Sequence, residues 1–467
     1  MMLNPSIFRK YDIRGIVGTD LTPETVRSIG MAYGTQLLRK LDRTKATVVI
    51  AGDARESTPD FIRYLTAGLN RLGIRVLDGG LVATPVLYFA VHNLDVHGGI
   101  MVTASHNPPE FNGFKMMAGT ETLSGDEIHE LYEIAVQAPW NGRGPVELDG
   151  PNETVDLESP YRAFFHTQFA GKPAAGLKVV VDAGNGIAGP LAPAVFRDMG
   201  AQVTELFCDV DGSFPNHHPD PTVVENIQDM IAAVREQGAD MGIGFDGDGD
   251  RIGVVDGQGR IIWGDQLLTL FAKDILAEHG SGTFIGEVKC SQVLYDEIRN
   301  AGGTAIMWKT GHSIIKRKMK EEKALLAGEM SGHLFFADRY FGFDDAVYAG
   351  ARLMEMVNRR AMSLADIFDT LPKMVSTPEH KVDCPDETKF TVIDNMVSAV
   401  QSGDAELPGL QELITIDGLR MVFDGGWSLI RASNTQPVLV LRFEADSPER
   451  LEAIRRTTMD FLHRFLE

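Results

Sequence analysis

The sequence predicts an α/β protein of three similar units followed by an α+β unit. Three observations carry this. One grammar, buried strand, polar loop, amphipathic helix, glycine stop and second strand, occurs three times. The strands are short continuous apolar runs that alternate with helices, which marks mostly parallel sheets. The last part of the chain loses that pattern and carries Asp-Gly turn pairs at 417–418 and 424–425.

In the first unit the strands are Thr47–Gly52 and Gly73–Leu77, with a helix from about Pro59 to Leu72 between them. In the second, Leu177–Asp182 leads through the loop Ala183–Gly189 and a helix ending near Met199 to Gly200–Thr204. In the third, Thr283–Val288 leads through a helix ending near Asn300 to Gly302–Ile306. The breakers Ala138–Pro145 and Gly150–Asn152, the turn Asp256–Arg260 and the exit Leu371–Lys373 divide the chain into 1–150, 151–256, 257–371 and 372–467. The last segment reads as a helix near Thr388–Gln401, strands Gly418–Phe423 and Val438–Glu444, and a final helix from Pro448.

The 467 residues suit three or four domains. Against 65 acidic side chains stand 44 basic ones, a net charge of -21. That balance argues against a general nucleic-acid or membrane-surface binder, since both partners are polyanions. Small anionic substrates remain compatible with locally gathered cations. Three cysteines without a CxxC spacing read as reduced thiols. With no signal-peptide core and no membrane-length apolar run, a soluble cytoplasmic protein is expected.

Asp246-Gly247-Asp248-Gly249-Asp250-Arg251 lies between two apolar strands. Three carboxylates at alternate positions, on a backbone that glycines let curl, supply hard oxygen ligands. The spacing resembles the start of an EF-hand, but Arg251 and Gly257 stand where that loop needs glycine and glutamate. Open coordination positions suit Mg²⁺, which keeps waters or takes a phosphate oxygen. A plain hairpin tip needs two turn residues, not five, so a metal loop is the stronger reading.

Ser105 sits at the tip of Thr103-Ala104-Ser105-His106-Asn107-Pro108, with Lys115 following. A hydroxyl at a strand end beside His and Lys is a candidate nucleophile or phosphate carrier. No GxSxG elbow is present, and the adjacent His fits a Ser-His hydrolase poorly. The donor-rich loop Arg431-Ala432-Ser433-Asn434-Thr435 suits a phosphate or an ordinary polar turn. Gly328-Glu329-Met330-Ser331-Gly332-His333, with Lys309-Thr310-Gly311-His312 upstream, suits sugar hydroxyls or a surface loop. Arg9–Gly15 by itself reads as a solvated terminal segment.

Together these residues resemble the α-D-phosphohexomutases, over nearly the whole chain. The Thr103–Pro108 loop is similar to the family's phosphoserine loop, Asp246–Arg251 to its metal loop, Gly328–His333 to its sugar loop, and Arg431–Pro437 to its phosphate loop. All four occur in family order, one per domain. Met330, with Tyr11–Gly15 and Glu287–Ser291, resembles the bacterial phosphomannomutase/phosphoglucomutase branch most.

The resemblance implies three mixed-sheet α/β domains and an α+β domain around a central cleft. It implies reversible phosphoryl transfer between the 1- and 6-positions of mannose or glucose phosphates, through phospho-Ser105 and a 1,6-bisphosphate, with glucose 1,6-bisphosphate as activator. By the same resemblance Ser105, Asp246, Asp248 and Asp250 hold Mg²⁺. Arg14, Lys115 and Arg251 add positive charge, and Lys115, His106 or His312 moves the proton. Tyr11, Lys289, Gly311, His312, Glu329, Ser331, Arg431, Ser433, Asn434 and Thr435 contact substrate. The last domain is expected to move as a lid, and the chain to be a monomer or weak dimer. A phosphoglucosamine mutase, which usually has Gln at the place of Met330, or a sugar-phosphatase on the same fold is the alternative.

Overall fold

Runs of β-branched and large apolar residues form the centre of four sheets, as in Val48-Val49-Ile50, Val179-Val180-Val181, Phe284-Ile285 and Leu439-Val440-Leu441, all buried. The structure is a computed structural model and describes residues 3–137, 153–404, 407–433 and 437–466. The expected linker segments 138–145 and 150–152, and Asn434 and Thr435, lie outside the described residues.

The first sheet runs in the order Ile13–Ile16, Phe111–Ala118, Gly98–Val102, Thr47–Gly52, Arg75–Leu81, Glu153–Thr154, with Glu121–Thr122 added beside Phe111–Ala118. The second runs Ile261–Ile262, Ile252–Asp256, Met241–Phe245, Lys178–Asp182, Gln202–Leu206, and the third Thr304–Trp308, Thr283–Glu287, Leu326–Gly328, Leu334–Phe336. Each has parallel strands at its centre and an antiparallel hairpin toward one side, so the sheets are mixed. The hairpins are Gly98–Val102 with Phe111–Ala118, Met241–Phe245 with Ile252–Asp256, and Leu326–Gly328 with Leu334–Phe336. Their connections are the serine loop, the aspartate loop and the Glu329 loop. Three motifs thus occupy one equivalent position in three repeats of one design.

The fourth sheet is antiparallel: Val375–Ser376, Val438–Ala445, Gly426–Ala432, Leu419–Phe423, Leu410–Ile414, with His380–Asp383 also on Val438–Ala445. Helices Lys389–Gln401 and Pro448–Leu466 cover it. Arg431 stands near the end of its central hairpin strand.

One apolar core runs through the first three units, from Val49 through Val181 and Ile243 to Leu268 and Phe336. The fourth has its own core around Met421, Leu441 and Phe461. It meets the third through a small cluster of Val288, Trp427 and Leu429 and through buried cations. Arg420 Nη1 donates to the carbonyls of Val288 (2.5 Å) and Cys290 (2.7 Å), and its guanidinium stacks 3.7 Å from the Trp427 ring centroid. Arg442 reaches Asp265, and Ser291 Oγ donates to Glu444. A joint this polar can re-form in more than one arrangement at less cost than a continuous apolar core. Among the described residues, no helix is long and apolar enough to cross a membrane.

Candidate active site

Thr103 begins the serine loop. Its Oγ1 donates to Asp53 Oδ2 (2.7 Å) and accepts from the Ser105 amide (2.8 Å). Ser105 adopts φ +53°, the left-handed region that a non-glycine residue enters only when its surroundings compel it. Arg55 does much of the compelling. Fully buried, it donates to the carbonyls of Ser105 (2.7 Å), Asn107 (2.7 Å), Pro108 (2.7 Å) and Phe111 (2.9 Å), and pairs with Asp53 at 3.1 Å. Arg14 Nη1 donates to the Ala104 carbonyl and Asn107 Oδ1, while its Nε pairs with Asp12.

The Ser105 hydroxyl, 1% exposed, donates to Asp246 Oδ2 at 2.8 Å and lies 3.0 Å from His106 Nδ1. The other oxygen of Asp246 accepts from the amides of Gly249, Asp250 and Arg251, which shapes the loop. Carboxylate oxygens of Asp246, Asp248 and Asp250 lie within 4.8 Å of one another, all buried. Thr84 Oγ1 and Lys115 Nζ both donate to Asp248 Oδ2, and Lys115 also reaches Asp250. Asp248 Oδ1 is buried without a partner. Three crowded hard-oxygen donors with one lone-pair set unused fit a divalent cation.

Burial and the neighbouring Asp248 and Asp250 push the Asp246 carboxyl well above the usual range. Burial would raise Asp250 also, but Lys115 and His333 hold it well below. Burial alone would lower Lys115; Asp248 and Asp250 overcome it and raise the ammonium's pKa.

Gly247 lets the two loops meet. A Cβ there would lie 2.6 Å from the Ser105 carbonyl oxygen.

From the aspartates a chain of contacts crosses to the fourth unit. Arg251 Nε approaches His333 Nε2 at 3.4 Å, and His333 bridges Asp250 (3.2 Å) and Glu329 (2.8 Å). Burial opposes charge on His333, yet Asp250 lifts it to about 9; Glu329, whose burial would raise it, is held near 2 chiefly by His333. Glu329 Oε1 accepts the Gly311 amide at 2.6 Å. The Tyr11 hydroxyl donates to the Thr310 carbonyl (2.6 Å). Gly311 has φ +132°, and a Cβ there would strike the Tyr11 ring at 2.4 Å. The Thr310 amide donates to Asp417 Oδ2, which also accepts from Arg431 Nε at 3.2 Å. Lys289 pairs with Glu379 (3.0 Å) and approaches Glu287 (3.5 Å). Ser331 Oγ lies 3.3 Å from Glu329 Oε2. His312 Nδ1 faces Asp344 Oδ2 at 3.6 Å, and burial and Lys316 push its pKa well down.

Contacts thus run from Ser105 and the aspartates through His333, Glu329 and Gly311 to Thr310, Asp417 and Arg431. Ser433 follows Arg431 on the hairpin, its amide donating to Val438. Motif reading did not single out Arg55, Asp53, Thr84 or Asp344, and it named Glu287 only within the Glu287–Ser291 segment and Asp417 only as a turn residue. The signal for Arg55 was the strand-end loop Asp53-Ala54-Arg55, which follows Thr47–Gly52 as the aspartate loop follows its own strand.

Each unit matches a segment of one family in order. Residues 5–140 match the description "Phosphoglucomutase/phosphomannomutase, alpha/beta/alpha domain I", residues 160–259 domain II, residues 263–375 domain III, and residues 379–460 the C-terminal domain. The chain belongs to the phosphoglucomutase/phosphomannomutase family. It is 46% identical to a phosphomannomutase/phosphoglucomutase of Pseudomonas aeruginosa, over 97% of this chain and 94% of that one. It is 44% identical to a phosphoglucomutase of Neisseria gonorrhoeae, over 96% and 95%. A crystal structure of a family protein from Burkholderia thailandensis superposes with a TM-score of 0.88 at 42% identity, covering 99% of this chain and 98% of that chain. This phosphohexomutase lineage accounts for the four-unit α/β architecture and for the order of the loops.

Proposed function

We propose that the chain interconverts hexose 1-phosphates and 6-phosphates, mannose and glucose among them, with Ser105 as the phosphoryl carrier. A relative named phosphomannomutase/phosphoglucomutase at 46% identity and one named phosphoglucomutase at 44%, each over nearly the whole chain, support the activity. The observation that carries the role of Ser105 is its hydroxyl, 2.8 Å from Asp246 within the three-carboxylate cluster.

Asp246, Asp248 and Asp250, with a phosphoryl oxygen on Ser105, would hold Mg²⁺. When bound, the ion neutralises charge on the moving phosphoryl group. Arg55 and Thr103 hold the serine backbone, so the oxygen is presented in one direction. Arg14, Lys115 and Arg251 surround the same region with positive charge, which lets a protein of net charge -21 accept a dianion. The substrate's free hydroxyl attacks phosphorus. The bond to Ser105 Oγ breaks, and the hydroxyl proton passes to a base. Three groups stand close enough to move that proton: burial keeps His106 and His312 neutral, the first beside Arg251 and the second beside Lys316, whereas Asp248 and Asp250 hold Lys115 as an ammonium that can only return a proton.

Arg431, Ser433, Asn434 and Thr435 would clamp the second phosphate. Glu329 and Ser331 would hold sugar hydroxyls, with Tyr11, Lys289 and Gly311 beside them. Transfer in both directions requires the 1,6-bisphosphate to turn over in the cleft, and the clamp must loosen first. The separate core of the fourth unit and its polar joint suit a lid. Added glucose 1,6-bisphosphate would activate enzyme that has lost its phosphoryl group.

Phosphorus NMR with Mg²⁺, a trace of glucose 1,6-bisphosphate and either hexose 1-phosphate tests this. Wild type should produce the 6-phosphate and Ser105→Ala should not. Release of inorganic phosphate instead would establish a sugar-phosphatase, and turnover of glucosamine phosphate alone a phosphoglucosamine mutase.

A further inference from the structure

A cavity of about 460 Å³ lies between the first and third units. That size suits a small organic ligand. Neither Ser105 nor any of Asp246, Asp248 and Asp250 lines it. Thr120–Thr122 on its wall follow strand Phe111–Ala118, whose opposite end lies beside the serine loop. Helix His312–Glu322 forms a second wall and begins in the active site. Its 11 residues span about 16 Å.

The cavity has an apolar body, with Met117, Met319 and Phe343 buried in it. Four cationic side chains line it: Lys316, Arg317 and Lys320, which pair with Asp344, Glu127 and Glu121, and Lys323. Lys323 makes no ion pair among the described residues. Ser313, 3% exposed, lines the cavity with its Oγ unpartnered. A buried hydroxyl without a partner is an unmet demand that a polar ligand atom would satisfy.

Lys316 connects this cavity to the catalytic cleft. Its ammonium donates to Asp344 Oδ1 at 2.9 Å and sits 4.3 Å from the Tyr88 ring centroid. Asp344 Oδ2 faces His312 Nδ1, and neither atom has a hydrogen-bond partner. An anion that draws Lys316 toward the cavity leaves the Asp344 carboxylate to His312.

We propose that this cavity is an effector site for a small amphipathic anion, an apolar ring or chain bearing one sulfonate, phosphate or carboxylate, which slows hexose phosphate turnover through Lys316, Asp344 and His312. The coupling rests on the reading of His312 as a group of the active site; the binding does not.

The probe is 8-anilinonaphthalene-1-sulfonate, titrated by fluorescence on the whole protein. Saturable binding of one probe per chain is expected, not displaced competitively by glucose 1,6-bisphosphate. Ala337→Trp, which fills the cavity from its wall, should weaken binding at least tenfold while keeping wild-type turnover of glucose 1-phosphate. Saturating probe should lower kcat about fivefold or more in wild type, and Lys316→Met should abolish that inhibition. Absent saturable binding, simple competition with the bisphosphate, or undiminished binding in Ala337→Trp would overturn the site. Binding with unchanged kcat, or inhibition persisting in Lys316→Met, would overturn the coupling. A protein with no mutase turnover that still bound the probe, and lost it in Ala337→Trp, would sink the catalytic reading and support the cavity.

Discussion

Replacing Gly247 by alanine should push the aspartate loop away from the serine loop. The new methyl group would begin 2.6 Å from the Ser105 carbonyl oxygen and 3.4 Å from its carbon. The carbonyl cannot retreat freely, because Arg55 Nη2 holds it at 2.7 Å and Arg55 itself is locked to Asp53 and three further carbonyls. The loops must therefore separate by roughly half an ångström, on the scale where misplacement costs up to a hundredfold in rate. The expected loss in kcat/KM is about tenfold to a hundredfold, or ~1.4–2.7 kcal/mol of transition-state stabilisation. The assay couples glucose 6-phosphate formation to its dehydrogenase, with the melting temperature followed in parallel. A folded variant within twofold of wild type would refute the argument that this contact sets the distance between Ser105 and the carboxylates.

Lys115→Met leaves Asp248 and Asp250 without their buried cation; chemical denaturation in EDTA should show a loss of about 3–5 kcal/mol, and added Mg²⁺ should recover part of it. Removing divalent metal should abolish turnover, and Mg²⁺ should restore it, as read in the coupled assay. Burial raises the Asp345 carboxyl to about 6 from its ordinary 3.8, despite bonds from Tyr161, Tyr340 and the Tyr348 amide. The folded state therefore holds this proton where the unfolded state has lost it. The contribution to stability is full below 3.8 and is lost as pH rises to 6; Asp345→Asn should flatten that slope in pH-dependent denaturation. If the fourth unit closes as a lid, small-angle scattering should show a smaller radius of gyration with glucose 1,6-bisphosphate than without it, and an unchanged radius would count against closure.

The sequence showed most where chemistry is packed into a few adjacent residues. Asp246–Arg251, Thr103–Pro108 and Gly328–His333 are local patterns, so their strand-loop-strand settings were legible. The helix expected near Thr388–Gln401 is found at Lys389–Gln401, and the final helix does begin at Pro448. Strands Leu410–Ile414 and Gly426–Ala432 were not read. The first has no buried position and is interrupted by a bulge, and the second is buried at nearly every position, so neither alternates cleanly. Glu153–Thr154 and Ile261–Ile262 are too short for any periodicity, yet they extend the first and second sheets. Within the site, Arg55 serves a loop some 50 residues away, and Asp417 meets Thr310 across 107 residues. The strand-end position of Asp53–Arg55 marks a loop, but which distant residue such a group serves has no local signature, because pairing at that range is set by how the sheets pack.

The most direct measurement of the central claim is incubation of the protein with glucose 1,6-bisphosphate labelled with ³²P, followed by peptide mass spectrometry. The account predicts one phosphoryl group per chain, on Ser105, discharged by hexose 1-phosphate into the sugar product and absent from Ser105→Ala. Turnover of hexose phosphate without label on Ser105, or with label on another residue, would contradict it.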